Sequence, residues 1–507
     1  MTNNIMKLPP TPEMEAILAA AKSTNKNLLI QALAGAAKTS TLVRIAHALP
    51  GSPILSIAFN KRIATEMAER LPSHCVAKTL NSIGHSAWGS HIGKKLHLDT
   101  DKIATIIKNL DLSSSEQELL RDCFGDVKKL ADTARLYGYV PEDKYPNAMR
   151  LIDKETLYEM FADEEWDGLA WALLDDILIK SITQAYAGTI DFNDQLYMPT
   201  LFGAQLPRFP LTLVDEAQDL SPLNHQMVSN LVGTRRIIAV GDSFQSIYGF
   251  RGAVSDGMNV LRRKFSMVEF TLSISFRCPK AIIREARFRA PNMKWPDNAA
   301  DGMVTNLTGG NFTWGPELLP RSCAIICRNN APLFALGLRL IRAGKSVAIR
   351  GMDISKRLIK TMKEFGNLDM DREEFLGHLE RWRQAKLDEG KLPEESIEDR
   401  FACMRVFGQS AKTLREAIGN AERLFSAEGP IELLSGHKSK GLEWDNVFHL
   451  DAWRVPSKYA TSPEAKEQEE NLRYVITTRA KTSLTYIDLD DFDLELDEPF
   501  ITAEKKA

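Results

Sequence analysis

Cysteine is scarce in this sequence, with six in 507 residues. Only Cys323 and Cys327 lie close together, in the apolar run SCAIICR with no histidine nearby. That spacing argues against a disulfide framework or a zinc cluster and for buried thiols in a reducing compartment. Long hydrophobic runs are missing too: no stretch approaches the roughly 20 residues that span a bilayer. The opening MTNNIMKLPPTPEMEAIL has no apolar centre of the export-signal type, so neither membrane association nor export is expected. There is no strong excess of either charge. The 64 Lys and Arg against 67 Asp and Glu leave a net charge of −3. Any nucleic-acid contact would therefore need a local track of Lys, Arg and aromatic side chains rather than a basic molecule as a whole. Internal repeats and low-complexity linkers are absent. What remains is an ordinary globular composition, 44% hydrophobic and 26% charged, in a chain too long for a single core.

Short apolar runs of β type recur at Leu28–Ala32, Ile54–Phe59, Leu211–Val214, Arg236–Val240, Ala324–Cys327, Ser346–Ile349, Ile431–Leu434 and Val447–Leu450. Helix-periodic segments separate many of them, which predicts an α/β fold with mostly parallel sheets. From about Gly89 to Gly188 the sequence turns charged and helix-periodic, with few strand signals. A second helix-rich stretch runs from about Ser355 to Ala427. The expected organisation is one α/β domain from 1–88 and 189–276, split by a helical insertion at 89–188. A second α/β domain, 277–354 and 428–507, is split by a shorter insertion at 355–427. The charge run in EEFLGHLERWRQAKLDEGKLPEES reads as a solvated helix face. The acidic IDLDDFDLELDEPF reads as an edge strand or a solvated tail.

Two segments carry phosphate chemistry. In LLIQALAGAAKTST, a strand-like run leads through the small residues Ala34, Gly35, Ala36 and Ala37 into Lys38, Thr39 and Ser40 and then a helical pattern. Backbone N–H groups and a helix N-terminus there would face a polyphosphate, with Lys38 on the β/γ-phosphates and the Thr39 hydroxyl on Mg²⁺. In LTLVDEAQD, a second strand would deliver Asp215 to the same ion and Glu216 to the attacking water. Either segment alone could arise by chance. Both, each after an apolar run, point to a nucleotide hydrolase. Gln245, in VGDSFQSIYGFRGA, emerges beside Asp242 at the end of a third run and suits γ-phosphate sensing, while Phe250 is an aromatic on a short polar loop. Phe59, Asn60 and Lys61 in AFNKRIATEM combine an aromatic, an amide and a cation, a set suited to stacking on and neutralising a single strand.

The ordered set GAAKTS, AFNKRIATEM, TLNSIGHSAW, VDEAQD, GDSFQSIYGFRGA, SISFR, CRNNA, HKSKGLEWD and LRYVITTRA resembles the superfamily 1A DNA helicases, the UvrD/Rep/PcrA group. Its compact AFNK and GLEWD forms are similar to F-box helicases and their phage relatives. The resemblance runs from about residue 10 to 482, sparing the two insertions. It implies two RecA-like P-loop NTPase domains enclosing an ATP cleft. Lys38, Glu216 and Gln245 would act in catalysis, with Arg277 and Arg479 as arginine fingers. A positioned arginine in phosphoryl transfer contributes a factor of about 10³–10⁵. Phe276 would stack on adenine and Glu443 would lie near the ribose. Phe59, Asn60, Lys61, Thr79, Asn81, Phe250 and His437 would contact DNA or the coupling path. The implied cofactors are ATP and Mg²⁺. The implied substrates are single-stranded DNA and single-strand/duplex junctions, with 3′→5′ movement in a bacterial or phage-infected cytoplasm. A protein-displacing translocase with little unwinding, or a DNA-binding scaffold without turnover, would share much of this set.

Two positions depart from the family pattern. Ala37 stands where a glycine usually precedes the P-loop lysine; if positive φ is required there, alanine costs about 1–2 kcal/mol. Met14 stands where an adenine-reading glutamine is expected.

Overall fold

A computed structural model describes residues 9–161, 168–247, 256–310, 312–350, 353–389 and 394–493. The chain forms two units, Met1–Ser273 and Ile274–Ala507.

The first unit is built on strands β1 (Leu28–Ala32), β2 (Ile54–Ile57), β3 (Cys75–Lys78), β6 (Leu211–Val214), β7 (Arg236–Gly241) and β8 (Val268–Leu272), in the spatial order β3-β2-β6-β7-β1-β8. Every neighbouring pair is parallel. Helices cover both faces of such a sheet, so its strands read as unbroken apolar runs; β2 and β6 are buried along their whole length. Parallel pairing also brings all the carboxyl ends to one edge, where α/β sheets bind ligands. The helix Pro12–Ser23 is begun by the Thr11 side chain, which accepts from Met14 N, and by Pro12 in its first turn. Met14 itself is buried in the core.

Between β3 and β6 the chain leaves the sheet through the helix Leu80–Ile92 and a two-residue strand, β4 (His97–Leu98). It returns through β5 (Thr189–Ile190), which pairs parallel with β4. The intervening helices Lys102–Lys108, Ser114–Leu136 and Gly168–Ala187 enclose a core of their own that includes Ile107, Leu130, Leu174 and Ile177. A buried ionic cluster fastens them to the returning chain. Lys102 Nζ lies 2.5 Å from Asp194 Oδ2, and Arg135 Nη1 donates to both Asp191 oxygens at 2.9 and 2.8 Å.

The second unit repeats the plan with β9 (Met303–Leu307), β10 (Cys323–Cys327), β11 (Val347–Ile349), β12 (Ile431–Ser435), β13 (Trp444–Leu450) and β14 (Ala480–Ile487), ordered β11-β12-β10-β13-β14-β9 and again all parallel. Between β11 and β12 come the helices Asp353–Glu364, Arg372–Glu389, Glu394–Gln409 and Leu414–Phe425. Unlike the first insertion, they share one core with the sheet. Phe375, Phe407 and Phe425 join Ile325 and Phe334 in a single cluster, with the Phe334 and Phe425 rings 5.1 Å apart.

The fold class is the expected one. The expected break at 88/89 falls inside the helix Leu80–Ile92, because Gly89 continues that helix rather than ending it. The break at 354/355 falls inside Asp353–Glu364. The run Ile54–Phe59 stops being a strand at Ile57, because Asn60 caps the next helix. Cys323 and Cys327 sit within β10, where burial pushes both thiols up to about 12. Among the described residues, no helix is long and apolar enough to cross a membrane.

Candidate active site

At the end of β1 the chain turns through Gly35, at φ 73°, and Ala37, at φ 62° and ψ 39°, before the helix Lys38–Ala48 begins. Both residues adopt the left-handed region, which aims successive N–H groups toward one point at a helix N-terminus. Ala34 and Ala36 are buried. Ser40, also buried, accepts from Arg70 Nη2 at 2.8 Å.

Strand β6, separated from β1 in the sheet by β7, ends at Val214 and presents Asp215 and Glu216 beside this helix. The Thr39 hydroxyl donates to Asp215 Oδ2 at 2.8 Å, and Lys38 Nζ lies 3.6 Å from Glu216 Oε2. Asp215 is buried, and burial together with the Glu216 charge pushes its carboxyl up to about 6 against the pull of Thr39 and Lys38. Glu216, like Ala37, is a non-glycine residue in the left-handed region, at φ 51°. Such backbone costs on the order of 1–3 kcal/mol per residue and collects at functional sites.

The end of β7 completes the cluster. Asp242 is fully buried, and burial raises its carboxyl above the ordinary range. Gln245 Nε2 donates to Asp242 Oδ2 at 2.7 Å. Gln31 from β1 approaches the other oxygen at 3.5 Å. Gln218, which the sequence reading passed over, spans the loops: its Nε2 donates to Glu216 Oε2 at 2.6 Å and its Oε1 accepts from Asp242 N at 3.0 Å.

The expected DNA-contact residues of this unit lie along the same sheet edge. Phe59 is 47% exposed. The Asn60 side chain accepts from Ile63 N at 2.9 Å, capping the helix that Lys61 opens. Thr79 caps Leu80–Ile92 in a reciprocal arrangement with Ser82. Both side chains therefore also start helices. Asn81 Nδ2 donates to the Phe192 carbonyl at 2.9 Å and to Gln195 Oε1 at 3.0 Å. Phe192 is 56% exposed, a second aromatic next to Asn81; the signal for it was its place in the polar string IDFNDQ. Phe250 lies outside the described residues. A separate cavity of about 890 Å³, walled by Tyr145, Tyr186, Thr200 and Phe202, contains none of the phosphate-site residues.

In the second unit, Arg277 Nε pairs with Glu443 Oε2 at 2.6 Å, and Phe276 precedes the pair, half-buried. Arg479 is fully buried at the start of β14. Among the described residues its guanidinium donates to uncharged oxygens: Val475 O at 2.9 Å, Leu442 O at 3.1 Å and Thr478 Oγ1 at 3.2 Å. Burial, and next the Arg277 charge, lower it to about 10. It remains a cation at neutral pH, and the pull of the Glu443 carboxylate is a minor influence on it. His437 lies on the short helix Gly436–Ser439 after β12.

Two family models match this chain. The UvrD/REP helicase N-terminal domain matches residues 14–266, and the UvrD-like helicase C-terminal domain matches residues 373–489. The chain belongs to the UvrD-like helicase family. Within this family it is 24% identical over 514 residues to F-box DNA helicase protein 1 of Schizosaccharomyces pombe, covering 94% of this chain and 57% of that protein. The F-box DNA helicase 1 of Gallus gallus is 24% identical, over 95% of this chain and 49% of its own length. The ATP-dependent DNA helicase PcrA of Bacillus subtilis is 26% identical over 384 residues, 66% of this chain and 49% of the relative. The chain thus spans about half the length of these UvrD-like relatives.

Proposed function

We propose that this protein is an ATP-dependent DNA helicase that moves 3′→5′ along single-stranded DNA, powered by ATP hydrolysis with Mg²⁺. The observation that carries this reading is the meeting of Lys38 and Thr39 with Asp215 and Glu216 at one sheet edge. A lysine, a hydroxyl, an anchoring carboxylate and a second carboxylate beside it are the groups that phosphoryl transfer to water requires. The donor set fits a magnesium ion. Thr39 and Asp215 are hard oxygen ligands already in contact, and the buried Asp215, raised by its surroundings, would be neutralised by a divalent cation. Bound there, the ion would offset charge on the β- and γ-phosphates.

The chain's own groups have separable tasks. Lys38 draws the polyphosphate onto the loop. Glu216 accepts the proton of the attacking water, and Gln245 reports on the γ-phosphate. Arg277 and Arg479 supply positive charge to the transferred phosphoryl group, which accounts for a buried Arg479 hydrogen-bonded, among the described residues, to carbonyls and a hydroxyl. Phe276 and Glu443 take the base and ribose. Phe59, Asn60, Lys61, Thr79, Asn81, Phe250 and His437, joined by Phe192, form the single-strand track. In domain terms, residues 1–88 with 189–276 and 277–354 with 428–507 are the two motor domains, and 89–188 and 355–427 their insertions.

The test is ATP hydrolysis with and without single-stranded DNA, beside Lys38→Ala, followed by strand displacement from 3′- and 5′-tailed duplexes. Lys38-dependent stimulation and displacement from the 3′ tail are expected. DNA binding without hydrolysis would replace the motor with a scaffold, and hydrolysis without displacement would leave a translocase.

A further inference from the structure

We propose that Gln218 is a positioning residue for hydrolysis, locking the Glu216 carboxylate to the loop after β7 that carries Gln245. The proposal rests on the ATP-hydrolysing reading above.

The orientation of the Gln218 amide is not a free choice. The backbone N–H of Asp242 can only donate, so the atom facing it at 3.0 Å must be the amide oxygen. The NH₂ then faces Glu216 Oε2 at 2.6 Å and Asp219 Oδ2 at 3.3 Å, both of them acceptors. A flipped amide would set N–H against N–H and oxygen against carboxylate. Gln218 is 1% exposed, so water does not compete for these bonds. Glu216 Oε2 is thereby held between the amide and Lys38, 3.6 Å away.

The other half of the link is equally fixed. Asp242, whose N–H holds the Gln218 oxygen, receives Gln245 Nε2 on its own carboxylate at 2.7 Å. The Ser246 hydroxyl donates to the Gln218 carbonyl at 3.4 Å. A continuous hydrogen-bonded path therefore runs Glu216–Gln218–Asp242–Gln245, from the proton acceptor to the γ-phosphate sensor. Room for it exists because residue 241 is glycine: a Cβ there would lie 2.5 Å from Gln218 Oε1 and 2.5 Å from Met258 Sδ. A displacement of the Gln245 loop would thus be transmitted to Glu216. A misplacement of about 1 Å in a catalytic group costs on the order of 10²-fold in rate.

The experiment measures single-turnover ATP hydrolysis and, separately, ATP affinity. Gln218→Met keeps the volume and removes both bonds. Gln218→Glu keeps an acceptor for Asp242 N–H but turns an oxygen toward Glu216. Each is expected to slow hydrolysis roughly 10–100-fold while leaving ATP affinity within about threefold. Gly241→Ala should reproduce the loss without altering Gln218, and it carries the test with Gln218→Glu if the Met variant does not fold. Adding Gln218→Met to Glu216→Gln should change the residual rate by less than about twofold, since the residue acts through Glu216. Rates within twofold of wild type, losses that multiply in the double variant, or a fall in affinity that accounts for the rate would each overturn the assignment. Those results, in a protein whose hydrolysis depends on Lys38, leave the ATPase reading standing. Absence of Lys38-dependent hydrolysis in the wild type overturns both.

Discussion

The Thr39 hydroxyl donates to Asp215 Oδ2 over 2.8 Å although 176 positions separate the two residues. Thr39 follows β1 and Asp215 follows β6, with β7 between the two strands; the shared carboxyl edge of the parallel sheet makes this contact, and it sets the sharpest expectation. Asp215→Asn keeps an acceptor for Thr39 but removes the anion that would anchor Mg²⁺. Hydrolysis should fall by roughly 10²–10³-fold, the scale for losing one preorganised electrostatic group, with the melting temperature little changed. Lys38→Ala should abolish turnover, and Glu216→Gln should leave only a small residual rate while still binding ATP. Full activity in either, measured by phosphate release, would remove the site assignment.

Ala37 sits at φ 62°, so the condition attached to this departure from the family pattern is met. Left-handed alanine costs about 1–2 kcal/mol, and glycine returns part of that through a more flexible unfolded chain, about 0.4–1 kcal/mol. Ala37→Gly should therefore stabilise the protein by roughly 0.5–1 kcal/mol, seen as a small rise in melting temperature, and preserve or raise nucleotide affinity. A marked loss of affinity would mean that the loop is tuned to alanine.

Phe59 and Phe192 are both exposed aromatics at the DNA-facing edge proposed here. Replacing either with alanine should weaken single-strand affinity by about 1–3 kcal/mol, the range for one base stack, in a fluorescence-anisotropy titration. Asn60 serves two roles in this reading, so its test must separate them. Asn60→Asp caps a helix equally well but brings a negative charge to the strand's path. Unchanged melting with severalfold weaker DNA binding is expected; equal affinity would reduce Asn60 to a cap.

His225 and His449 are buried, and no ring nitrogen of either has a hydrogen-bond partner among the described residues. Burial lowers His225 to about 4 and His449 to about 3. Both stay neutral in the fold while the unfolded chain protonates near pH 6.5, so their contribution is complete above that pH and is lost as pH falls below it. Each should cost about 2 kcal/mol by pH 5. The raised Asp215 and Asp242 work in the opposite sense, so the comparison must be with His225→Leu and His449→Leu. Urea unfolding at pH 7.5 and 5 should show a smaller drop in each variant, and an identical drop would refute the assignment.

Much of the architecture was legible because parallel strands announce themselves as short apolar runs; β1 and β6 appear with their observed ends. The strands that escaped notice lack that signature. In β3, CVAK alternates between half-buried and exposed positions. In β14, AKTSLTYI follows the helix Pro463–Thr477 with no glycine or proline between them. At the site, residues acting from within a local motif could be named from sequence, as Lys38 and Glu216 were. Gln218 could not, since its meaning depends on a backbone N–H 24 positions away, just past the end of β7. Asn60 and Thr79 show the converse: Asn or Thr before a helical run is a capping signal as well as a polar group suited to DNA, and sequence alone does not separate the two.

The pairing of β4 with β5 limits how the first insertion can evolve. His97–Leu98 and Thr189–Ile190 run in the same direction, so the chain enters and leaves this lobe with the same heading. A tight turn reverses a chain and cannot join two such segments; a crossover of a dozen or more residues is needed. The lobe can therefore shrink to that length, or be exchanged for another that also makes a full circuit, but a deletion that simply sealed the gap would have to break the β4–β5 pair.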